Sequence, residues 1–384
     1  MPGAPVLAPT TPGSLLPIFR ALANGFGSSN IDSITVSGEV GLATFSSGHA
    51  LDVDAVVTLS GVGYPTDLNG DWLVTAVTAS TVTFACPGIA DATATGTMSG
   101  KVAGAGWSIA FDNGNKLVMR SATATGPRPY LQIDDNGTFF ANVRGYETMS
   151  DESTGTNPFP PTSLTTSYIR KTMSTSYSNA RPWLMFADDK FVYLFINTGL
   201  QSGSYTNNWD SFAFGEDIKT ASDAADPYNA LIHPNQQTSA SPPNYDWIGR
   251  FESYNQNPTT YFQRYADGST IAPFVAKTGF APITNYGANG GSESANLIWR
   301  YPDALSNTMA MTPIMMFDNL GRSRGFLPGI ENAAWKYSGT TPLFAAGSRY
   351  VRADGSAWRR LHSCGSSTGS NGYIEIKVAE PWRP

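Results

Sequence analysis

Trp183-Leu-Met-Phe-Ala-Asp188-Asp189-Lys190-Phe191-Val-Tyr-Leu-Phe-Ile196-Asn197 is the stretch that decides the fold class. Two apolar runs of strand length flank Asp188-Asp189-Lys190. Short acidic side chains favour turns because they hydrogen-bond the backbone a residue or two further on. The second run, Phe191–Asn197, is almost wholly apolar and mixes aromatic with β-branched residues, which suits a strand covered on both faces. The stretch reads as a β-hairpin inside a thick β domain.

The same grammar extends outward. Asp134-Asp-Asn-Gly137 separates the candidate strands Tyr130–Asp134 and Phe139–Tyr146. Further candidates are Lys116–Ser121, Phe212–Phe214, Tyr228–Ile232, Tyr261–Arg264, Met309–Phe317, Tyr350–Ala353 and Tyr373–Val378. Pro313 lacks a ladder donor, so Met309–Phe317 is an edge strand, two strands or a bulged one. No helical period, heptad run or long repeat is sustained, which excludes coiled-coil and collagen-like shafts. The polar segments Asp151–Ser178, Gln201–Asp210 and Thr284–Asn296 read as long loops, for which contacts with neighbouring subunits would be a reason.

Residues 31–103 read as a separate small unit. Short alternations recur at Ile34–Val36, Leu42–Phe45, Val56–Leu59, Trp72–Val77, Thr81–Phe84 and Thr95–Met98, with turn residues between them. Thr on the solvated face and Val, Phe or Trp on the other predict a small antiparallel sandwich or barrel. Residues 1–30 are rich in Pro, Gly and Ala, with one short helical run at Leu15–Leu22 and a stop at Asn24–Gly27. They read as an arm that packs on a neighbour, whose deletion would block assembly and leave the β domains folded. The predicted architecture is all-β: an N-terminal arm (1–30), a small inserted β-sandwich or barrel (31–103), and a larger β-sandwich-rich domain with long loops (104–384).

Only 14% of residues are charged, and the formal net charge is −6. With no Lys/Arg run, the footprint of a phosphate-binding surface is missing, which argues against nucleic acid as the main partner. The apolar runs are far shorter than a membrane span. The N-terminus has no basic region followed by an apolar core, so the expectation is synthesis in the cytoplasm without a signal peptide. Cys86 and Cys364 are the two cysteines and are expected to be unpaired thiols.

Residues with reactive chemistry are sparse. His49, His233 and His362 are scattered, and no G-x-S-x-G elbow is present. His362 and Cys364 would share one face of a strand, but a metal needs more ligands than that. Asp134-Asp135, Asp151-Glu152, Asp188-Asp189 and Glu216-Asp217 are the acid pairs a glycosidase would need. Turn formation already accounts for the first and third. No catalytic residue, metal ligand or cofactor site is assigned. The aromatics suit cores and subunit interfaces, where Tyr and Trp are enriched. Tyr245, Trp247, Trp299 and Tyr301 are the first choices for rings exposed to stack on a glycan.

Gly106-Trp107-Ser-Ile-Ala-Phe111, Asn115-Lys116-Leu-Val-Met-Arg120-Ser121 and Arg128-Pro-Tyr130-Leu-Gln-Ile133-Asp134-Asp135 resemble segments of structural proteins of tailed bacteriophages. So do Ala141–Asp151, Thr154–Pro160, Ala180–Asp189 and the opening Met1–Leu7 with Asn24–Gly27. The likeness runs over most of residues 1–220 and is weaker beyond. It implies a virion component of the tail, baseplate or neck, carried in the particle and bound to copies of itself and to other virion proteins. It implies no catalytic residues. The alternative within the same particle is a receptor-binding module for host-surface glycan; a glycan-degrading enzyme with an acid pair is the third reading.

Overall fold

The computed structural model describes residues 1, 3–172, 179–199, 209–219, 225–234, 260–269, 277–278, 311–318, 322–333, 345–364 and 371–383. The fold is nearly all antiparallel β, and the chain divides into two compact units. One holds Met1–Val6 and Pro17–Trp107, the other Leu7–Leu16 and Ser108–Pro384.

The small unit begins in helix α1 (Leu16–Asn24), whose Pro17 sits in the first turn, where its missing N–H costs nothing. Eight strands follow: β1 (Phe26–Ile31), β2 (Ser33–Ser37), β3 (Val40–Thr44), β4 (Val56–Tyr64), β5 (Gly70–Val77), β6 (Thr81–Ala85), β7 (Ala92–Thr93) and β8 (Thr95–Val102). They form one sheet in the order β1-β8-β4-β5-β6-β3-β2-β7. Ile34, Phe45, Leu59, Val74, Val82 and Phe84 belong to its single buried core. The alternation read from sequence is visible in β2 and β3, where Ile34, Val36, Gly41 and Ala43 are buried and their neighbours face out.

The arm is corrected by this arrangement. β1, assigned from sequence to the end of a free arm, pairs with β8 as a full member of the small sheet. Leu15, Ile18 and Phe19 are completely buried, and Leu7 bridges Arg181 in the larger unit. The first thirty residues are therefore built into both units, and deleting them would remove a strand and buried side chains. The apolar run Leu15–Leu22 is short, but it buries against its own chain instead of a neighbour.

The larger unit contains three stacked sheets. The first comprises β9 (Trp107–Asn113), β10 (Lys116–Ser121), β11 (Tyr130–Asp134), β12 (Phe140–Tyr146) and, after the small ribbon β13 (Thr148–Met149) with β14 (Gly155–Thr156), β15 (Tyr168–Arg170). The second holds β16 (Trp183–Ala187), β17 (Phe191–Asn197), β18 (Trp209–Glu216), β19 (Ala230–His233) and β20 (Tyr261–Phe262). The third holds β21 (Lys277–Thr278), β22 (Met311–Phe317), β23 (Ser323–Ala333), β24 (Ser348–Val351), β25 (Ala357–Cys364) and β26 (Asn371–Val378). Its order is β21-β22-β23-β26-β25-β24.

The second sheet is the middle layer. Phe191, Tyr193 and Phe195 pack in one core with Ile314, Met316, Leu327, Leu361 and Ile376 of the third sheet. The Tyr193 hydroxyl also donates to the Pro328 carbonyl at 2.9 Å. On the other face Val192, Leu194 and Ile196 are equally buried. There Phe214 stacks on Phe159 at 6.1 Å between centroids, and Arg170 of β15 lies 3.7 Å from Asp210 of β18. All seven residues of β17 are buried, as its apolar run requires.

Two loop expectations change. Asp151–Ser178 is not one long loop: β14 and β15 lie within it, and β15 pairs with β12. Met311–Phe317 is one strand whose register slips between Pro313 and Met315, so of the three readings the bulge is realised. The segments 201–208 and 284–296 lie outside the described residues.

Candidate functional site

The four acid pairs form the natural starting point. Asp134 accepts hydrogen bonds from the backbone and side chain of Asn136, which closes the β11–β12 turn. Asp135 does more than turn the chain. Its side chain is fully buried, with Oδ1 2.6 Å from Lys171 Nζ and Oδ2 accepting from the Leu15 amide at 2.8 Å. Lys171 Nζ also donates to the carbonyls of Thr11 (2.9 Å) and Gly137 (2.7 Å). Burial raises the Asp135 carboxyl above its ordinary range against the pull of Lys171, and burial lowers the Lys171 ammonium. Every strong valence of the pair is used, and no face of it is open to a substrate.

Asp151 accepts from the amides of Ser153 and Thr154, both at 2.7 Å, and those bonds hold its carboxyl below the usual range. Glu152 accepts from Asn113. Asp188 Oδ1 closes the β16–β17 turn by accepting from the amides of Lys190 (2.8 Å) and Phe191 (2.6 Å), and its Oδ2 takes Arg383 at 2.8 Å. The Thr123 hydroxyl donates to Asp189.

Glu216 and Asp217 end β18 and are both buried. Asp217 Oδ1 accepts from Asn229 Nδ2 at 2.8 Å. Burial pushes its carboxyl well above the ordinary range, with Asn229 and Arg324 opposing the shift and Asp226 adding to it. Arg324, wholly buried, donates to Asp226 Oδ2 (2.7 Å), the Tyr228 carbonyl (2.8 Å) and the Arg264 carbonyl (2.9 Å), and lies 4.2 Å over the Phe262 ring. The backbone of Ile218 bridges Phe326 of β23. This polar node joins the second and third sheets. Its acids are sealed from solvent, so its chemistry is cohesion between layers.

Sequence reasoning missed the two buried cations. Lys171 follows Tyr168-Ile-Arg170 and Arg324 precedes Gly-Phe-Leu; the signal was a basic residue inside an apolar run, which requires an internal anion.

The solvent side of the third sheet carries a second cluster. Arg352 lies 3.7 Å over the Trp358 ring and is 2.6 Å from both Glu331 and Glu375. Arg360 lies 3.5 Å over Tyr350 and donates to Glu375 at 2.8 Å. The guanidinium planes occupy the ring faces that a sugar would stack on.

Tyr245, Trp247, Trp299 and Tyr301 lie outside the described residues. His362 and Cys364 stand two apart in β25, opposite Tyr373 and Asn371. Cys86 is an unpaired, buried thiol, its ionisation pushed up by burial. Among the described residues no group of three or more His, Cys, Asp or Glu is placed to hold a metal ion, and no helix is long and apolar enough to cross a membrane.

No protein-family model matches the chain, and no curated protein matches it. Among solved structures, one similar chain is titled phage phi92 endosialidase, with 12% identity and a TM-score of 0.17. The likeness covers 93% of this chain and 54% of that one, so the chain spans about half the length of that structure. A score so low bears on neither fold nor function.

Proposed function

We propose that this chain is a structural subunit of a tailed-phage particle, in the tail, baseplate or neck, and that it acts through contacts with copies of itself and with other particle proteins, without turnover of a substrate. The observation that carries the reading is where the apolar surface lies. Val40, Leu42, Val56 and Tyr64 in the small unit, and Tyr350 and Val351 in the larger, are exposed large hydrophobics on strands. The acids that would suit a hydrolase are spent on turns and on sealed ion pairs. The resemblance of residues 1–220 to virion proteins supports the same reading.

Gold-labelled antibody against the chain, applied to purified phage particles, tests it. Label confined to one place on the tail or neck is expected. Particles free of the chain by labelling and by mass spectrometry would overturn it.

A further inference from the structure

We propose that copies of this chain associate head to tail, the outer face of β3 in the small unit of one copy docking on the β24 rim of the next copy's larger unit. The inference rests on the proposed structural role and names the surfaces that carry it.

Charge is divided unevenly along the chain. The small unit has seven carboxylates against Arg20 and Lys101, a net of −5 out of the chain's −6. Residues 345–384 have six basic side chains against three acidic ones. A second copy is therefore the partner whose charge matches.

Each surface pairs an apolar patch with charge of one sign. On β3, Val40 and Leu42 are 46% and 43% exposed. Their cross-strand neighbours are Ser37 and Thr35 on β2 and Ala85 and Thr83 on β6, a face with no charge of its own. Glu39 and Asp91 stand exposed at one end of it, each anchored by one backbone amide, from Gly88 and Gly38 respectively. On the other surface, β24 is the last strand of its sheet among the described residues, with Tyr350 and Val351 exposed. Arg349 lies directly opposite Arg359 and on the same face as Val351. These two strands carry four of the eight exposed large hydrophobics.

Charge at a sheet rim ordinarily keeps other chains away. A rim of one sign does so only until a surface of the opposite sign arrives, and then it sets partner and register. Because the two surfaces differ, the contact is heterologous. It propagates from copy to copy and closes into a ring or continues as a filament.

Sedimentation velocity of the full chain tests this. Assemblies larger than a dimer are expected at about 0.05 M salt and are expected to dissociate at about 0.5 M, where screening shortens the range of charge. Glu39→Lys with Asp91→Lys should leave a monomer, and so should Arg349→Glu with Arg359→Glu. Mixing the two variants should restore assemblies, since each supplies the charge the other lacks; misfolded variants would not do this. A parent chain monomeric at low salt, variants that assemble like the parent, or a mixture that stays monomeric would each overturn the proposal. Gold label on particles together with any of these results would remove this interface and leave the structural role standing. Salt-dependent assembly with no label on particles would do the reverse.

Discussion

Asp135 and Lys171 show what a buried charge requires. Each would be costly to seal alone; together, with three backbone partners, they are satisfied and fix the Thr11–Leu15 segment against the β11–β12 turn and the end of β15. Asp217 meets the same problem by the opposite route, holding its proton because burial disfavours the anion. His233 follows that logic as a base. Burial lowers its pKa from 6.5 to about 3, and its Nδ1 lies 2.7 Å from the Thr260 hydroxyl. Between pH 6.5 and 3 the unfolded chain binds a proton that the folded chain refuses, so stability falls as pH falls, by about 1.4 kcal/mol per unit. Relative to His233→Gln, the parent should lose roughly 3 kcal/mol between pH 7 and 4, read from urea unfolding. A difference between the two proteins that stays flat with pH would show that His233 ionises freely in the fold.

Elements inherit such constraints from their layer. β17 is apolar on both faces because it runs through the middle sheet, whereas β2 and β3 alternate because only one face meets a core. The inner face of β3 is tight at Gly41, where an added Cβ would stand 2.2 Å from the Phe84 ring. Gly41→Ala should therefore cost about 1–3 kcal/mol, the usual range for overpacking. Gly63→Ala, whose Cβ would meet nothing nearer than 3.4 Å, should cost less. Faster hydrogen exchange of the β3 and β6 amides in the first variant and little change in the second is the expected result. Equal effects would mean that the ring yields freely.

The N-terminal segment ties the molecule together over long stretches of sequence. Removing residues 1–15 takes away the Leu15 amide, the Thr11 carbonyl and the Gly13 amide that donates to the Asp135 carbonyl. The buried pair would then be left partly unsatisfied, and the larger unit should lose on the order of 2–5 kcal/mol. Calorimetry would show this as a lowered transition, with exchange rising in β11, β12 and β15. An unchanged transition would mean that water or side-chain shifts replace the lost partners.

What the sequence by itself determined was local. Turn residues between apolar runs placed the hairpins at Asp134–Gly137 and Asp188–Lys190, and alternation placed the strands of the small sheet, because both signals are carried by neighbours along the chain. Strands such as β1, β9, β23 and β25 were missed; β1 and β25 are rich in polar or charged residues that tertiary pairing holds in a sheet regardless of propensity. Only the tertiary structure decided that the three sheets stack, that Lys171 finds Asp135 and Arg324 finds Asp226, and that the supposed arm is shared between two units. Those outcomes join residues far apart in sequence, and no local pattern encodes which distant carboxylate will meet a buried cation.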